Sequence, residues 1–399
     1  FLFDNLSLYT KWLDDIHFAQ KEDGAIPDVA PAFWRYYSDN VSWPAAYFLV
    51  ADMIYRQTGD AEIIRKHYPS MKKYLLYMQD KYKNEKGIIP KDSYGDWCVP
   101  PVTIEAGAGV NANQKHPSAL ISTAYYYHLL NLMASFGELV GENRDAMLWD
   151  GMAVEIRKSF NDEFSHSDGS YGDNTLTDNL LAYYLNLVEE SHRSKLEKVI
   201  VDIIENKNNG HLSTGVIGTQ WLMRSLTQMG RADLAYRQAT NTSYPSWGYM
   251  IENGATTIWE LWNGNTAAPK MNSQNHVMML GDLLIWYYQD LAGIRNQAGY
   301  KHFELDPIAL AQLNEVNATY ESAYGQIKSH WKNGKRDFSW NVNIPANTGA
   351  TIYIPVKGNQ SIREGKRNAK EVEGIKYVKT ENGKAMFELG SGVYNFTVK

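Results

Sequence analysis

The chain is nearly devoid of cysteine. Cys98 stands alone among 399 residues, so neither an internal disulfide nor a cysteine-built zinc site can form. That excludes a small bridge-stapled secreted domain and fits a cytoplasmic or periplasmic protein. Long apolar runs are missing too. None reaches the ~18–20 residues needed to span a bilayer, so no membrane partner is expected. A dominant charge sign is also lacking: 39 Lys+Arg against 45 Asp+Glu leave a net charge of -6, too mild a balance for a nucleic-acid footprint. There is no phosphate loop, dinucleotide fingerprint or serine nucleophile elbow. His17, His116, His128, His211 and His276 show no metal-ligand spacing, and no metal or cofactor is expected. The chain opens at Phe1, without Met and already inside a helical pattern, as a processed or truncated piece would.

Aromatic residues are abundant: 12 Trp and 27 Tyr. Such side chains serve large cores. They also suit a sugar site, where flat rings stack on pyranose C–H groups while polar tips reach hydroxyls.

Apolar residues recur at helical spacing over the first ~290 positions. Leu2, Leu6, Tyr9, Leu13 and Ile16 make the first stripe. Further helices are predicted at about 43–58, 61–81, 118–139, 144–160, 175–187, 191–206, 216–228, 231–239 and 275–291, separated by turns such as Glu22-Asp23-Gly24. About ten similar helices without a fixed repeat point to a toroid of paired helices whose rim loops carry the site. After Gly293 the pattern changes to short alternating runs: 327–331, 338–342, 351–354, 384–389 and 393–398. Asn333-Gly334 and Asn382-Gly383 stand between such runs, and Asn-Gly is the strongest short hairpin signal. The expectation is a helical domain over 1–294 and an antiparallel β-sandwich over 295–399.

Several loops join aromatics, carboxylates and glycines: Asp23 to Asp28, Tyr94-Gly-Asp-Trp97, Tyr244 to Tyr249, Gly254 to Trp262 and Met271 to His276. Asp23 and Asp28, beside or near Gly24, read first as turn chemistry. Glu260 differs. It lies between Trp259 and Trp262, and a carboxylate among aromatic walls is desolvated, which suits a general base. The bland alternative is a helix-start glutamate. His276 reads either as a group capping the last helix or as a partner for a sugar hydroxyl.

These motifs resemble glycoside hydrolase family 78, the α-L-rhamnosidases. The likeness runs through Asp23-Gly-Ala-Ile-Pro-Asp-Val-Ala-Pro31, Tyr94-Gly-Asp-Trp97, His211-Leu-Ser-Thr-Gly215, Tyr244-Pro-Ser-Trp-Gly-Tyr249, Gly254-Ala-Thr-Thr-Ile-Trp-Glu260 and Met271-Asn-Ser-Gln-Asn-His276. It implies an (α/α)6 barrel, incomplete at its N-terminus, followed by a C-terminal antiparallel β-sandwich. It implies inverting hydrolysis of terminal α-L-rhamnosides, with a rhamnosylated glycan or glycoside as partner. Glu260 matches the catalytic base. Trp43 and Trp97 match pocket walls, with Trp259 beside the base. His276 matches a group that hydrogen-bonds the sugar, and Asp96 is a further candidate for such a bond.

The sequence departs from the family at three places. Trp43-Pro44-Ala45-Ala46 stands where Trp-Gly-Asp-Ala is usual, and Leu261 where Arg often follows the base. Both positions are expected at the rim, where they would bear on leaving-group choice. The family's general acid lies in a segment that would precede Phe1, so the acid is expected outside this chain. The rival readings are another (α/α)6 glycosidase, such as an unsaturated glucuronyl hydrolase, a non-catalytic sugar-binding homologue, and a helical scaffold. The first would want Arg or Lys in the pocket, and the last would not need Trp-rich rim loops.

Overall fold

The computed structural model describes residues 4–34, 36–90, 92–101, 118–269, 272–296, 298–334, 337–358 and 360–399. Of the residues named above, Phe1, Leu2, His116 and Met271 lie outside this set. The chain divides into two compact units. One comprises Leu6–Asp52 and Ala61–Leu283, and the other is mainly Leu284–Lys399 with Met53–Asp60.

The helical unit alternates helices buried all round with helices buried along one stripe. Helix α1 (Leu6–Ala19) buries Leu13 and Ile16. After α2 (Ala46–Thr58) and α3 (Glu62–Tyr82) comes α4 (Ala119–Val140). In α4, Ser118 caps the first turn by accepting from Leu120 N and Ile121 N, and Gly141 ends it at φ 87°. Nearly every residue of its first four turns is buried. Its hairpin partner α5 (Asn143–Phe164) buries only Ala146, Trp149, Ala153, Ile156, Phe160 and Asn161, a one-faced stripe. The same contrast separates α6 (Leu176–Tyr184) from α7 (Glu190–Asp202), and α8 (Val216–Gln228) from α9 (Ala232–Thr240). One inner and one outer helix per hairpin is the packing expected of a ring of helical pairs.

Two local readings need correction. Tyr244 to Tyr249 is not all loop: Ser246 accepts from Tyr249 N and starts a short helix, α10 (Trp247–Glu252). The long helix expected over 275–291 is broken. Residues 272–277 are irregular, a 3-10 turn covers Met278–Leu280, and helix resumes as α11 (Leu283–Ile285), running into a π-turn over Trp286–Leu291. Gly281 makes the break. It sits at φ 53°, and a Cβ there would lie 2.4 Å from the Thr219 carbonyl oxygen.

The second unit holds two sheets. Strands β1 (Ile294–Arg295), β2 (His302–Leu305), β6 (Gly349–Pro355), β9 (Ile375–Glu381) and β10 (Lys384–Leu389) form one, in the order β1-β2-β6-β10-β9. The other is β3-β4-β5-β11-β7-β8, from β3 (Glu315–Ser322), β4 (Gly325–Asn333), β5 (Phe338–Ile344), β7 (Ile362–Glu364), β8 (Arg367–Asn368) and β11 (Gly392–Val398). Alternate residues point inward: Phe338, Trp340, Val342 and Ile344 from β5 share one core with Ile352 and Ile354 of β6 and Phe387 of β10. Pairing is antiparallel except between β2 and β6, which run parallel. Asn382 (φ 51°) and Gly383 (φ 74°) make the two-residue turn between β9 and β10, a primed hairpin geometry.

Candidate active site

Three loops of the helical unit bring the chemistry together. Asp92, fully buried, ties the first loop to the second. Its Oδ2 accepts from Val41 N and Ser42 N, both at 3.2 Å, and from Ser42 Oγ at 2.7 Å, while Oδ1 accepts from Gly95 N at 3.0 Å. Burial pushes this carboxyl up, and the four donors hold it down. Asn40 adds a second tie, its Oδ1 accepting from Tyr94 N at 3.1 Å. The residues next to these ties are Trp43 and Tyr94, whose ring centres lie 4.8 Å apart. Trp97 meets Tyr94 edge-on, at 5.9 Å and 86°. Trp43, Tyr94 and Trp97 thus form one row, each ring partly exposed.

Tyr94 is fixed at its far end. Its hydroxyl donates to Asp28 Oδ2 at 2.9 Å, and Ser38 Oγ donates to Asp28 Oδ1 at 2.8 Å. Burial, then the Asp28 carboxylate, push the phenol well above its ordinary range. The turn reading therefore holds for Asp23, which accepts from Ala25 N, but not for Asp28. Asp28 makes a contact across 66 residues of sequence, and only a family motif hinted at it. The sequence does not mark Tyr94, Asp28 or Asp92 individually as site residues. Tyr94 and Asp28 lie within motifs that it does mark, whereas Asp92 carries no local signal.

Asp96 and Trp259 turn away from the role expected of them. Asp96 is 1% exposed. Its Oδ2 accepts from Gly215 N at 2.8 Å and from the Thr177 hydroxyl, and its Oδ1 from Ile217 N at 2.9 Å and Gly218 N at 3.3 Å. Both oxygens are spent on the starts of α6 and α8, where they meet the helix dipole. Val216 N also donates to the Trp97 carbonyl at 2.8 Å. Gly215 permits this approach, since a Cβ there would come within 2.1 Å of that oxygen. Asp96 thus positions Trp97 and offers no lone pair to a sugar. Trp259 is 3% exposed and packs its ring on Gly264. Trp262 is wholly buried, its Nε1 donating to the Thr214 carbonyl at 2.9 Å. The two tryptophans flanking Glu260 are therefore framework. Leu261 and Ala45, expected at the rim, are buried as well, because an apolar side chain gains by packing inward.

Glu260 itself is partly exposed. Residues 257–260 and 273–276 run side by side. Glu260 N donates to Ser273 O at 2.8 Å, Ser273 N to Glu260 Oε2 at 2.8 Å, and His276 N to Ile258 O at 2.7 Å. Glu260 and His276 thus lie on the two paired segments. His276 Nδ1 accepts from Met278 N at 3.2 Å. Among the described residues, Glu260 Oε1 and His276 Nε2 make no hydrogen bond within the protein. Burial first, then the Glu260 and Asp96 charges, push the Cys98 thiol far up, and Cys98 directly follows Trp97. Among the described residues, no group of three or more His, Cys, Asp or Glu could hold a metal ion, and no helix is long and apolar enough to cross a membrane.

Paired inner and outer helices are the architecture of a six-hairpin glycosidase domain. Residues 1–291 match the bacterial alpha-L-rhamnosidase 6 hairpin glycosidase domain, and residues 293–369 the bacterial alpha-L-rhamnosidase C-terminal domain. The chain belongs to this family of bacterial α-L-rhamnosidases, as the sequence motifs implied. Among similar proteins, an alpha-L-rhamnosidase of Streptomyces avermitilis is 33% identical over 396 residues, covering 98% of this chain and 36% of that protein. One from Formosa agariphila is 31% identical, covering 99% and 42%. The solved alpha-L-rhamnosidase of Dictyoglumus thermophilum superposes with a TM-score of 0.89 at 30% identity, over 100% of this chain and 44% of that one. That of Streptomyces avermitilis complexed with L-rhamnose gives 0.88 at 31%, over 99% and 36%. The chain thus spans 36% to 44% of the length of these relatives.

Proposed function

We propose that the intact protein hydrolyses terminal α-L-rhamnosides with inversion at the anomeric carbon, and that Glu260 is its general base. The observation that carries this reading is the asymmetry of the Glu260 carboxylate. Oε2 is held by Ser273 N–H, so the group has a fixed direction, while Oε1 keeps its lone pairs for a water. In a single displacement that water loses a proton to Glu260 as its oxygen bonds to the anomeric carbon. The glycosidic C–O bond breaks, and the leaving oxygen takes a proton from a second carboxyl. Inversion needs about 6.5–9.5 Å between the two carboxyl groups, room for the water and the sugar. We assign the acid to a residue outside these 399. Trp43, Tyr94 and Trp97 take the apolar face and C6 methyl of rhamnose, and His276 Nε2 takes a hydroxyl.

The test is hydrolysis of an aryl α-L-rhamnoside by the intact protein, with NMR reading the anomer first released. β-L-Rhamnose is expected first. Glu260→Gln should lower kcat by roughly a thousandfold or more while rhamnose affinity persists. Retention of configuration, or a Glu260→Gln enzyme of near-normal rate, would remove Glu260 from this role. Under that assignment the 399-residue chain alone should run at less than about a thousandth of the intact rate, since the two carboxyls act as a unit.

A further inference from the structure

The segment between Asp28 and Asn40 carries aromatic side chains that its fold holds out in solvent. Phe33 is 83% exposed, Trp34 58% and Tyr36 59%. Large aromatic area left in water is costly, and such clusters mark surfaces that bind something. The rings are ordered against one another. Trp34 and Tyr36 have planes within 6° of parallel and centres 6.4 Å apart, a stepped flat surface, and Phe33 stands upright against Trp34 at 82°.

The segment is also anchored on both shoulders. Trp12 Nε1 donates to the Ala30 carbonyl at 2.8 Å, and Tyr37 OH to the Ala19 carbonyl at 2.7 Å. Its two feet meet at the aromatic row of the candidate site. Asp28 receives the Tyr94 hydroxyl, Ser38 donates to Asp28, and Asn40 accepts from Tyr94 N. Asp28 N also donates to the Tyr36 carbonyl at 2.9 Å, so the platform is hydrogen-bonded directly to the residue that holds Tyr94.

We infer that Phe33, Trp34 and Tyr36 form a binding platform for the part of the substrate beyond the terminal rhamnose, whose partner is a ring with an uncharged flat face. The inference rests on the reading of the site as a rhamnosidase centre. Under that reading Trp43, Tyr94 and Trp97 line the rhamnose, and Tyr36 is tied to them through Asp28, which donates its N–H to the Tyr36 carbonyl and accepts from the Tyr94 hydroxyl. Ring stacking needs no charge partner and tolerates either a pyranose or a planar aryl group. The chemistry that both share is an apolar ring face.

The intact protein, Trp34→Ala and Tyr36→Ala would be compared on three substrates: methyl α-L-rhamnoside, an α-L-rhamnosyl-glucose disaccharide, and an α-L-rhamnosyl-glucoside of a planar polyphenol. Each variant should lose about five- to tenfold in kcat/KM on at least one extended substrate, the size of one stacked ring. Each should keep its rate on the methyl rhamnoside, which also reports intact folding. Loss on the disaccharide assigns the platform to a second sugar, and loss confined to the polyphenol glucoside assigns it to an aryl group. An unchanged ratio between extended and methyl substrates overturns the platform, including the case where the variants merely lose solubility because another part of the protein covers these rings. Failure of the wild-type protein to cleave any α-L-rhamnoside overturns the rhamnosidase reading and the platform with it.

Discussion

Acidification should unload one buried histidine's contribution to stability. His67 in α3 is wholly buried. Its Nδ1 meets Tyr47 OH at 2.8 Å, and its Nε2 lies 3.3 Å from Asp14 Oδ1. Lys66 and His17 also face it. The Asp14 carboxylate favours the imidazolium, but burial is the larger effect. With Lys66 and His17 adding to it, burial depresses the pKa from 6.5 to about 4. The folded state therefore binds fewer protons than the unfolded one between these values. The stability from keeping this imidazole neutral is complete above pH 6.5 and drains away as pH falls towards 4, by about 3 kcal/mol in all. Asp282, pushed up to about 6 by burial, works in the opposite sense over an overlapping range. The clean measurement is therefore a difference. Urea unfolding of wild type and His67→Gln, followed by tryptophan fluorescence at pH 7 and at pH 4, should show the wild-type advantage shrinking by about 3 kcal/mol on acidification. Parallel pH dependence in the two proteins would mean that Asp14 keeps His67 charged and the burial argument fails.

Three further outcomes follow from the same framework. Tyr94→Phe keeps the ring but loses the hydroxyl held by Asp28. It should raise KM several-fold with a smaller change in kcat, read by steady-state kinetics at several pH values. Asp96→Asn puts an NH2 against donors that a carboxylate alone can satisfy, at Gly215 on one side or Ile217 and Gly218 on the other. Denaturant melts should register about 2–4 kcal/mol of lost stability. Gly383→Val places a β-branched residue at φ 74° in the β9–β10 turn. A fall of about 1–2 kcal/mol is expected in the unfolding of the β unit, against little change for Lys384→Arg nearby.

What could be read from sequence divides by the range of the interactions. The Asn382-Gly383 turn is local, since two residues at positive φ dictate it, and the alternating runs beside it settle their own faces. The helical stripes of α3 and α5 are equally self-contained. The segment 272–282 misled because Val277, Met278, Met279 and Leu280 are apolar enough to extend a helix, while what prevents one is pairing with 257–260 and the crowding of Gly281 against Thr219. The site followed the same division. Glu260 stood out through its neighbours Trp259 and Trp262, yet both neighbours are buried. Trp43, Tyr94 and Trp97, the rings proposed to share its pocket, come from loops more than 160 positions earlier. Asp28, Asp92 and Asp96 look in sequence like ordinary loop carboxylates, and only the fold reveals the distant amides and hydroxyls that each one gathers.

The four bonds accepted by Asp92 carry a lesson for anyone wishing to alter what this protein accepts. Because one carboxylate fastens residues 41–42 to residue 95, the segment bearing Trp43 and the one bearing Tyr94 and Trp97 form a single structural module. Grafting either stretch alone from a relative would leave a buried negative charge facing mismatched donors, so the two stretches should be exchanged as a pair.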